Sequence, residues 1–208
     1  LPHAIGKHIF GHIQKLIHYE PVIGIMGKTG VGKSSLCNAL FQGEVTPVSD
    51  VAACTRDVLR FRFRNGNHSL MIVDLPGVGE SEQRDEEYTA LYRRILPEMD
   101  LVLWVIKADD RALSVDEHFY HKVMLAYQRR VLFVVNQADK AAPCHQWNTT
   151  SNTPSHSQQS TIEAKRSAVQ QLFLPHHPVS VISAQTGWGL DAMVETMMHS
   201  LPDRATSP

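Results

Sequence analysis

The sequence predicts an α/β domain in three layers, built on a mostly parallel six-stranded sheet with one antiparallel strand pair. Three observations carry this expectation. β-rich runs alternate with helical runs from residue 21 to residue 201, the pattern of a sheet covered on both faces. Residues 101–106 (LVLWVI) and 131–135 (VLFVV) are apolar throughout, as strands buried on both faces are. Asn65-Gly66 joins two further β-rich runs and is a strong hairpin signal, which supplies the antiparallel pair.

The elements follow in order. Residues 3–19 carry Ile5, Ile9, Ile13, Leu16 and Ile17 at spacings of three and four, one face of an amphipathic helix that Pro21 ends. We expect it to pack on the domain, so that residues 1–20 form an N-terminal helix and 21–208 the domain proper. Residues 21–26 (PVIGIM) form a short strand, and 36–41 a helix. Residues 43–56 are expected to be irregular. In 58–64 the arginines Arg60, Arg62 and Arg64 alternate with Leu59, Phe61 and Phe63, and 69–73 returns as the partner strand. Residues 84–96 form a helix closed by Pro97. Residues 114–129 form another, with Ser114 and Glu117 spaced as a capping box. Residues 144–160 are polar and nearly uncharged and are expected to be a long mobile loop. A helix over 162–173, a strand over 179–182 and a helix over 189–200 complete the chain.

Composition narrows the class. A chain of 208 residues with 43% hydrophobic and 20% charged residues suits one folded domain and excludes a disordered or fibrous protein. A net charge of −1 argues against a general nucleic-acid coat protein, though not against a local basic patch. Cys37, Cys54 and Cys144 are few and show no CxxC spacing, which fits a reducing, cytoplasmic location better than a disulfide framework. No apolar run approaches the roughly 20 residues of a membrane-spanning helix. The chain opens without Met, and part of the protein is expected to lie outside it.

The chemistry sits in four short clusters. Gly27-Lys28-Thr29-Gly30-Val31-Gly32-Lys33-Ser34, followed by Ser35, matches GxxxxGK[ST] between a strand and a helix, the context a phosphate-binding P-loop needs. Glycines let backbone N–H groups face phosphate oxygens, and the helix N-terminus adds partial positive charge. Lys33 supplies a cation to the β- and γ-phosphates, and Ser34 a hydroxyl for Mg²⁺. Asp74-Leu75-Pro76-Gly77 ends a strand, where the carboxylate can hold Mg²⁺ through water and the Gly77 N–H can reach a γ-phosphate. Asn136-Gln137-Ala138-Asp139 ends another strand. There Asp139 can accept hydrogen bonds from N1–H and the 2-amino group of guanine, donors that adenine lacks. Ser183-Ala184-Gln185 follows the last strand and can offer backbone N–H groups to the guanine O6. All four clusters fall at C-terminal strand ends, where open α/β sheets bind ligands.

On these residues the chain resembles the small P-loop GTPases of the translation-factor-related class, on the Era-like side, with a Ras-like G domain. GKTGVGKSS, Thr55, DLPG, NQAD and SAQTGWGL carry the resemblance over about residues 21–201. The wording around the motifs is similar to that of bacterial predicted GTPases of the YfjP/YkfA type, which are described as ribosome-binding GTPase-like. The resemblance implies GTP and GDP with Mg²⁺ as ligands, slow hydrolysis and two loop conformations. It assigns Ser34, Thr55 and Asp74 to Mg²⁺, with Lys33, Thr55 and Gly77 as transition-state and switch contacts. Thr46 and Ser49 are the alternatives to Thr55. It also brings in a ribosome, RNA or protein effector as partner; separately, Gly30 in the P-loop and the lack of a catalytic glutamine in cis leave open a GTP-dependent homodimer of the septin or dynamin-like kind.

Three departures stand out. NQAD replaces the usual NKxD, so Gln137 would cover the base without a charge. Val78 stands after DLPG, where a water-orienting glutamine sits in Ras-like enzymes, and a valine cannot hydrogen-bond water. Gly30 occupies the position at which some Era-like members carry Asn and use K⁺. No catalytic base is therefore named. Glu80 and Ser81 read as solvated loop residues, and Arg56 and Arg84 as surface residues that could also approach the γ-phosphate. A GTP-binding module without useful turnover stays open as a second function, and a P-loop ATPase as a distant one. His8 and His12 share a metal-pair spacing on the first helix, but no third ligand is nearby, so they and His176-His177 read as solvated. Arg60, Arg62 and Arg64 read as an exposed strand face, with an RNA-contacting stripe as the alternative.

Overall fold

A computed structural model of the chain describes residues 19–41, 44–48, 58–65, 68–78 and 82–202. The expected N-terminal helix, Thr55, Arg56, Glu80, Ser81, Ser49, Cys54, His8 and His12 lie outside the described residues. So do residues 203–208 at the end of the domain.

Seven strands form one sheet: β1 (Val22–Met26), β2 (Glu44–Val48), β3 (Leu59–Asn65), β4 (His68–Asp74), β5 (Leu101–Lys107), β6 (Val131–Asn136) and β7 (Ser180–Val181), in the order β2-β3-β4-β1-β5-β6-β7. The sheet is parallel except for β3, which pairs antiparallel with β4 in the expected hairpin and with β2 on its other side. The seventh strand, β2, corrects the expectation of an irregular 43–56. Thr46-Pro47 argues against a central strand, yet β2 has the sheet edge to itself, where a missing N–H costs no ladder bond.

Alternation along the strands builds two cores. Leu101, Leu103 and Val105 face α1 (Lys33–Leu40) and the C-terminal helix. There they pack with Ile23, Ile25, Leu36, Leu40, Met193 and Met197. Val102, Trp104 and Ile106 face the opposite layer of helices. That layer contains α2 (Glu82–Ile95), α3 (Ser114–Phe119) and α4 (His156–Phe173), and the C-terminal helix of the first layer is α5 (Leu190–Ser200). Trp104, Tyr120, Phe133 and Phe173 form its aromatic centre, with Phe133 and Phe173 ring centroids 4.6 Å apart.

Two helical expectations change. The 114–129 run is broken into α3, a π-turn over Tyr120–Met124 and a 3₁₀ stretch over Leu125–Arg130 that kinks at Tyr127, where the backbone leaves helical geometry. Ser114 is its first helical residue rather than its cap. Leu113 takes the cap position, and no side chain caps this end. The 144–160 segment is not a loose loop. It contains a 3₁₀ turn at Cys144–Gln146, a bridge between Asn148 and Thr153, and the first turn of α4. Ser155 caps α4 in a full capping box with Gln158, a signal that Ser-x-x-Gln carried in the sequence.

Candidate functional site

The four clusters meet at one edge of the sheet because β1, β4, β6 and β7 all run the same way. β1 is central, so the loop that leaves it is flanked by loops from both sides.

Residues 27–32 turn from β1 into α1. Gly32 caps the helix in the left-handed region at φ 87°, and a Cβ there would stand 2.5 Å from Asn136 Nδ2. Gly77 is equally confined, because its Cβ would lie 2.6 Å from the Gly27 carbonyl oxygen. That close approach lays the end of the Asp74–Gly77 turn against the P-loop. Gly27, Lys28, Thr29, Lys33, Pro76, Gly77, Val78 and Tyr88 line a cleft of about 430 Å³. Lys33 Nζ points to the end of β4, 2.9 Å from Asp74 Oδ1 and 3.2 Å from the Leu75 carbonyl. Lys33, Ser34 and Asp74 share a second cleft of about 380 Å³, so the hydroxyl and the carboxylate assigned to Mg²⁺ face the same space. Ser34 and Asp74 both offer oxygen, the donor type that Mg²⁺ takes, with Asp74 Oδ1 paired to Lys33. Ser34 and Ser35 are exposed on the first turn of α1. Cys37 lies in the second cleft, and burial pushes its thiol up to about 12, so it is no nucleophile at neutral pH.

On the other side, Asn136 is buried and bonded at both ends of its amide. Its Nδ2 donates to the Val31 carbonyl at 2.8 Å, and its Oδ1 accepts from the Ala184 N–H at 3.0 Å. It therefore ties the P-loop to the 183–185 loop. Gln137 adds a second tie, donating from Nε2 to the Gly30 carbonyl at 2.7 Å. Asp139 Oδ1 accepts the Ser183 hydroxyl at 2.8 Å, which brings the carboxylate assigned to the base from the sequence against the last loop. Gln185 is exposed at the rim. The residues assigned to the phosphates and base from the sequence thus share one edge. Val78 is 3% exposed and packs in the core beside Tyr88, so it offers no polar group to the cleft.

Sequence reasoning missed a charged anchor behind the P-loop. Lys28 Nζ lies 2.7 Å from Asp116, 3.1 Å from Asp110 and 2.6 Å from the Ala112 carbonyl. Burial of Asp116 lifts its carboxyl above the ordinary range despite that contact. Burial also opposes the charge on Lys28, but the hydrogen bonds from Asp116 and Asp110 outweigh it and hold the ammonium firmly protonated. Lys165 from α4 reaches the Asp110 carbonyl. Nothing in a linear pattern marks Lys28 for this, because its partners lie more than eighty positions away.

Two of the three arginines of the stripe are paired, and Arg64 is exposed. Arg60 bonds Glu98 and Arg62 bonds Glu20, both across the fold. Arg84 is exposed in the first turn of α2. His177 bonds the Arg129 carbonyl, and no group of three or more candidate metal ligands occurs among the described residues. Among those residues no helix is long and apolar enough to cross a membrane.

Comparison with known proteins agrees with this geometry. Residues 22–137 match the family described as 50S ribosome-binding GTPase. The uncharacterized protein YfjP of Escherichia coli (strain K12) is 57% identical over 209 residues, covering all of this chain and 71% of its own. Among solved structures, Era of Aquifex aeolicus bound to GDP and AlF₄⁻ superposes with a TM-score of 0.59 at 25% identity, over 87% of this chain and 56% of that one. Era in complex with MgGDPNP and nucleotides 1506–1542 of 16S ribosomal RNA gives 0.62 at 25% identity, over 88% and 58%. This chain therefore spans little more than half of the Era chains. On the family match, on the identity to YfjP and on the Era-like fold, the chain belongs to the 50S ribosome-binding GTPase family of Era-like P-loop GTPases.

Proposed function

We propose that this domain binds Mg-GTP, hydrolyses it slowly to GDP and phosphate, and acts as a conformational switch. One observation carries the reading: the P-loop, the Asp74–Gly77 turn, the Asn136–Asp139 turn and the Ser183–Gln185 loop share one sheet edge, where Asn136 and Gln137 bond the P-loop and the 183–185 loop and Lys33 bonds the Asp74 turn.

In this reading the backbone N–H groups of residues 27–34 and the Lys33 ammonium hold the β- and γ-phosphates. Ser34, Asp74 and Thr55 hold Mg²⁺, which when bound offsets the charge that develops on the phosphates. The Gly77 N–H reaches the γ-phosphate, so that its presence or loss is felt by the turn. Asp139 accepts from the guanine N1–H and 2-amino groups, and the Gln185 amide is the donor left for O6, since the Ala184 N–H is held by Asn136. Val78 cannot orient water, which supports a low intrinsic rate.

The same buried Val78 supports a second reading, a module that binds GTP and awaits a partner or a second copy for turnover. The test is phosphate release from GTP and ATP with Mg²⁺, with and without K⁺, over a range of protein concentrations. The first reading expects release from GTP, little from ATP, and none with Lys33→Ala. Normal GTP binding with single-turnover hydrolysis no faster than that of free GTP favours the second. Specific activity that rises with concentration supports activation by dimerisation, and a flat response removes it.

The family description and the Era complex support a ribosomal particle as partner. Co-sedimentation with isolated ribosomal subunits, stronger with a GTP analogue than with GDP, is the expected result.

A further inference from the structure

The segment between β6 and α4 does more than connect them. A line of hydrogen bonds runs from it to the base-reading carboxylate. The Trp147 indole N–H donates to Asn152 Oδ1 at 3.3 Å, and Asn152 Nδ2 donates to the Thr186 carbonyl at 2.9 Å. The Thr186 N–H donates to Ser183 Oγ at 3.1 Å, and the Ser183 hydroxyl donates to Asp139 Oδ1 at 2.8 Å. Trp147 also meets Trp188 edge to face, with ring centroids 5.7 Å apart. Trp188 in turn closes the 183–188 loop, accepting from the Ser183 N–H at 2.9 Å.

The support under this line is hydrogen-bonded at both ends. Asn152 is in the left-handed region at φ 52°, a conformation Asn tolerates better than most residues. The Asn148–Thr153 bridge closes the turn that carries it, and Asn148 Oδ1 accepts from the Thr150 and Ser151 N–H groups. The base of the segment is pinned to α4, where Gln158 donates to the Ala141 carbonyl and Thr161 to the Ala142 carbonyl. A site held on such a support keeps its geometry, whereas an unbraced loop does not.

We infer that Asn152 and Trp147 are positioning residues that set guanine selectivity and nucleotide residence time by holding the 183–188 loop and Asp139 in register. They act through Thr186 and Ser183 rather than on the base. The inference rests on the guanine-nucleotide reading above.

The experiment uses the full chain and Asn152→Asp. Aspartate keeps the tolerance for a left-handed backbone and the acceptor for the Trp147 indole. It replaces the amide donor by a carboxylate oxygen against the Thr186 carbonyl. Dissociation of a fluorescent GDP analogue should accelerate about fivefold or more, the effect of roughly one hydrogen bond lost. Preference for GDP over ADP, measured by competition, should fall by a similar factor. Trp147→Phe, which keeps the ring contact, should do less than Trp147→Ala. Asn152→Gly, which keeps the backbone and deletes both bonds, is the second variant should Asn152→Asp fold poorly. A merely structural role lowers GDP and ADP binding together and leaves their ratio unchanged, which overturns the inference. An unchanged GDP off-rate in both Asn152 variants overturns it as well. A parent protein that does not prefer GDP to ADP overturns the nucleotide reading and this inference with it. A parent that prefers GDP beside variants that behave like it overturns this inference alone.

Discussion

Gln137 and Gly30, 107 positions apart in sequence, are joined by a 2.7 Å hydrogen bond from the Gln137 amide to the Gly30 carbonyl. Gln137 holds this contact from the left-handed region, at φ 65°, and its Oε1 is buried with no hydrogen-bond partner. A neutral amide thus makes a tie for which the NKxD pattern would supply a lysine. Gln137→Ala is expected to weaken GDP binding about fivefold, the loss of one net hydrogen bond. Gln137→Lys keeps a donor and removes the stranded oxygen, so affinity should be equal or higher. Titration calorimetry with GDP checks both.

Gly32→Ala tests the joint between P-loop and base-reading turn. The new methyl would stand 2.5 Å from Asn136 Nδ2, and the φ of +87° disfavours any Cβ by about 1–2 kcal/mol. Asn136 must then move, and its bonds to Val31 and Ala184 go with it. Nucleotide binding should fall by more than tenfold while circular dichroism still reports a folded domain.

Asp139→Asn exchanges one acceptor oxygen for a donor amide. Guanine presents two donors to that position, so GTP should bind far more weakly, while xanthosine triphosphate, with an acceptor in place of the 2-amino group, should gain. Competition between the two nucleotides reads the switch directly. Unchanged GTP preference would remove Asp139 from the base site.

Lys28→Met leaves Asp116, which is 3% exposed, without its ammonium partner. Breaking a buried pair in this way costs about 3 kcal/mol at neutral pH. The pH dependence has a definite sign. The folded-state pKa of Asp116 already lies above the ordinary 3.8, and loss of Lys28 raises it further. A raised carboxyl is harmless while protonated and costly once ionised. The deficit against the parent should therefore shrink as pH falls toward 4 and grow as pH rises through the folded-state pKa. Thermal melts of both proteins from pH 4 to 8 measure it.

The path from Glu20 to Arg62 predicts how the domain meets acid. Burial opposes the Glu20 charge, but hydrogen bonds from Arg62 and Ser69 outweigh it and hold the carboxyl below its ordinary value of 4.5. Its contribution is present above that pH and is lost as pH falls through the folded-state pKa. Arg62→Met should shift acid unfolding to higher pH, as followed by tryptophan fluorescence.

Much of the molecule follows from local rules. Continuous short apolar runs rich in β-branched residues point to buried strands, and they are β5 and β6. The glycines of the P-loop, the hairpin at Asn65 and the order of four short motifs each state a local backbone or donor requirement. These sufficed for the fold class and for bringing the four motifs to one end of the sheet, though not for β2. Other features depend on partners distant in sequence. Pro47 stands in a strand because β2 is at the sheet edge, a place known only once seven strands are ordered. Arg60 and Arg62 are paired because Glu98 and Glu20 arrive from other parts of the chain. The polar 144–160 run looked loose because it lacks apolar periodicity. Its order comes instead from side-chain hydrogen bonds to α4 and to the 183–188 loop. By itself the sequence determined the fold class and the chemical inventory of the site, since both are set by spacing along the chain. Tertiary structure alone decided which of those groups are tied together, because a hydrogen bond between Gln137 and Gly30, or between Asn152 and Thr186, exists only after the sheet has brought their loops to one edge.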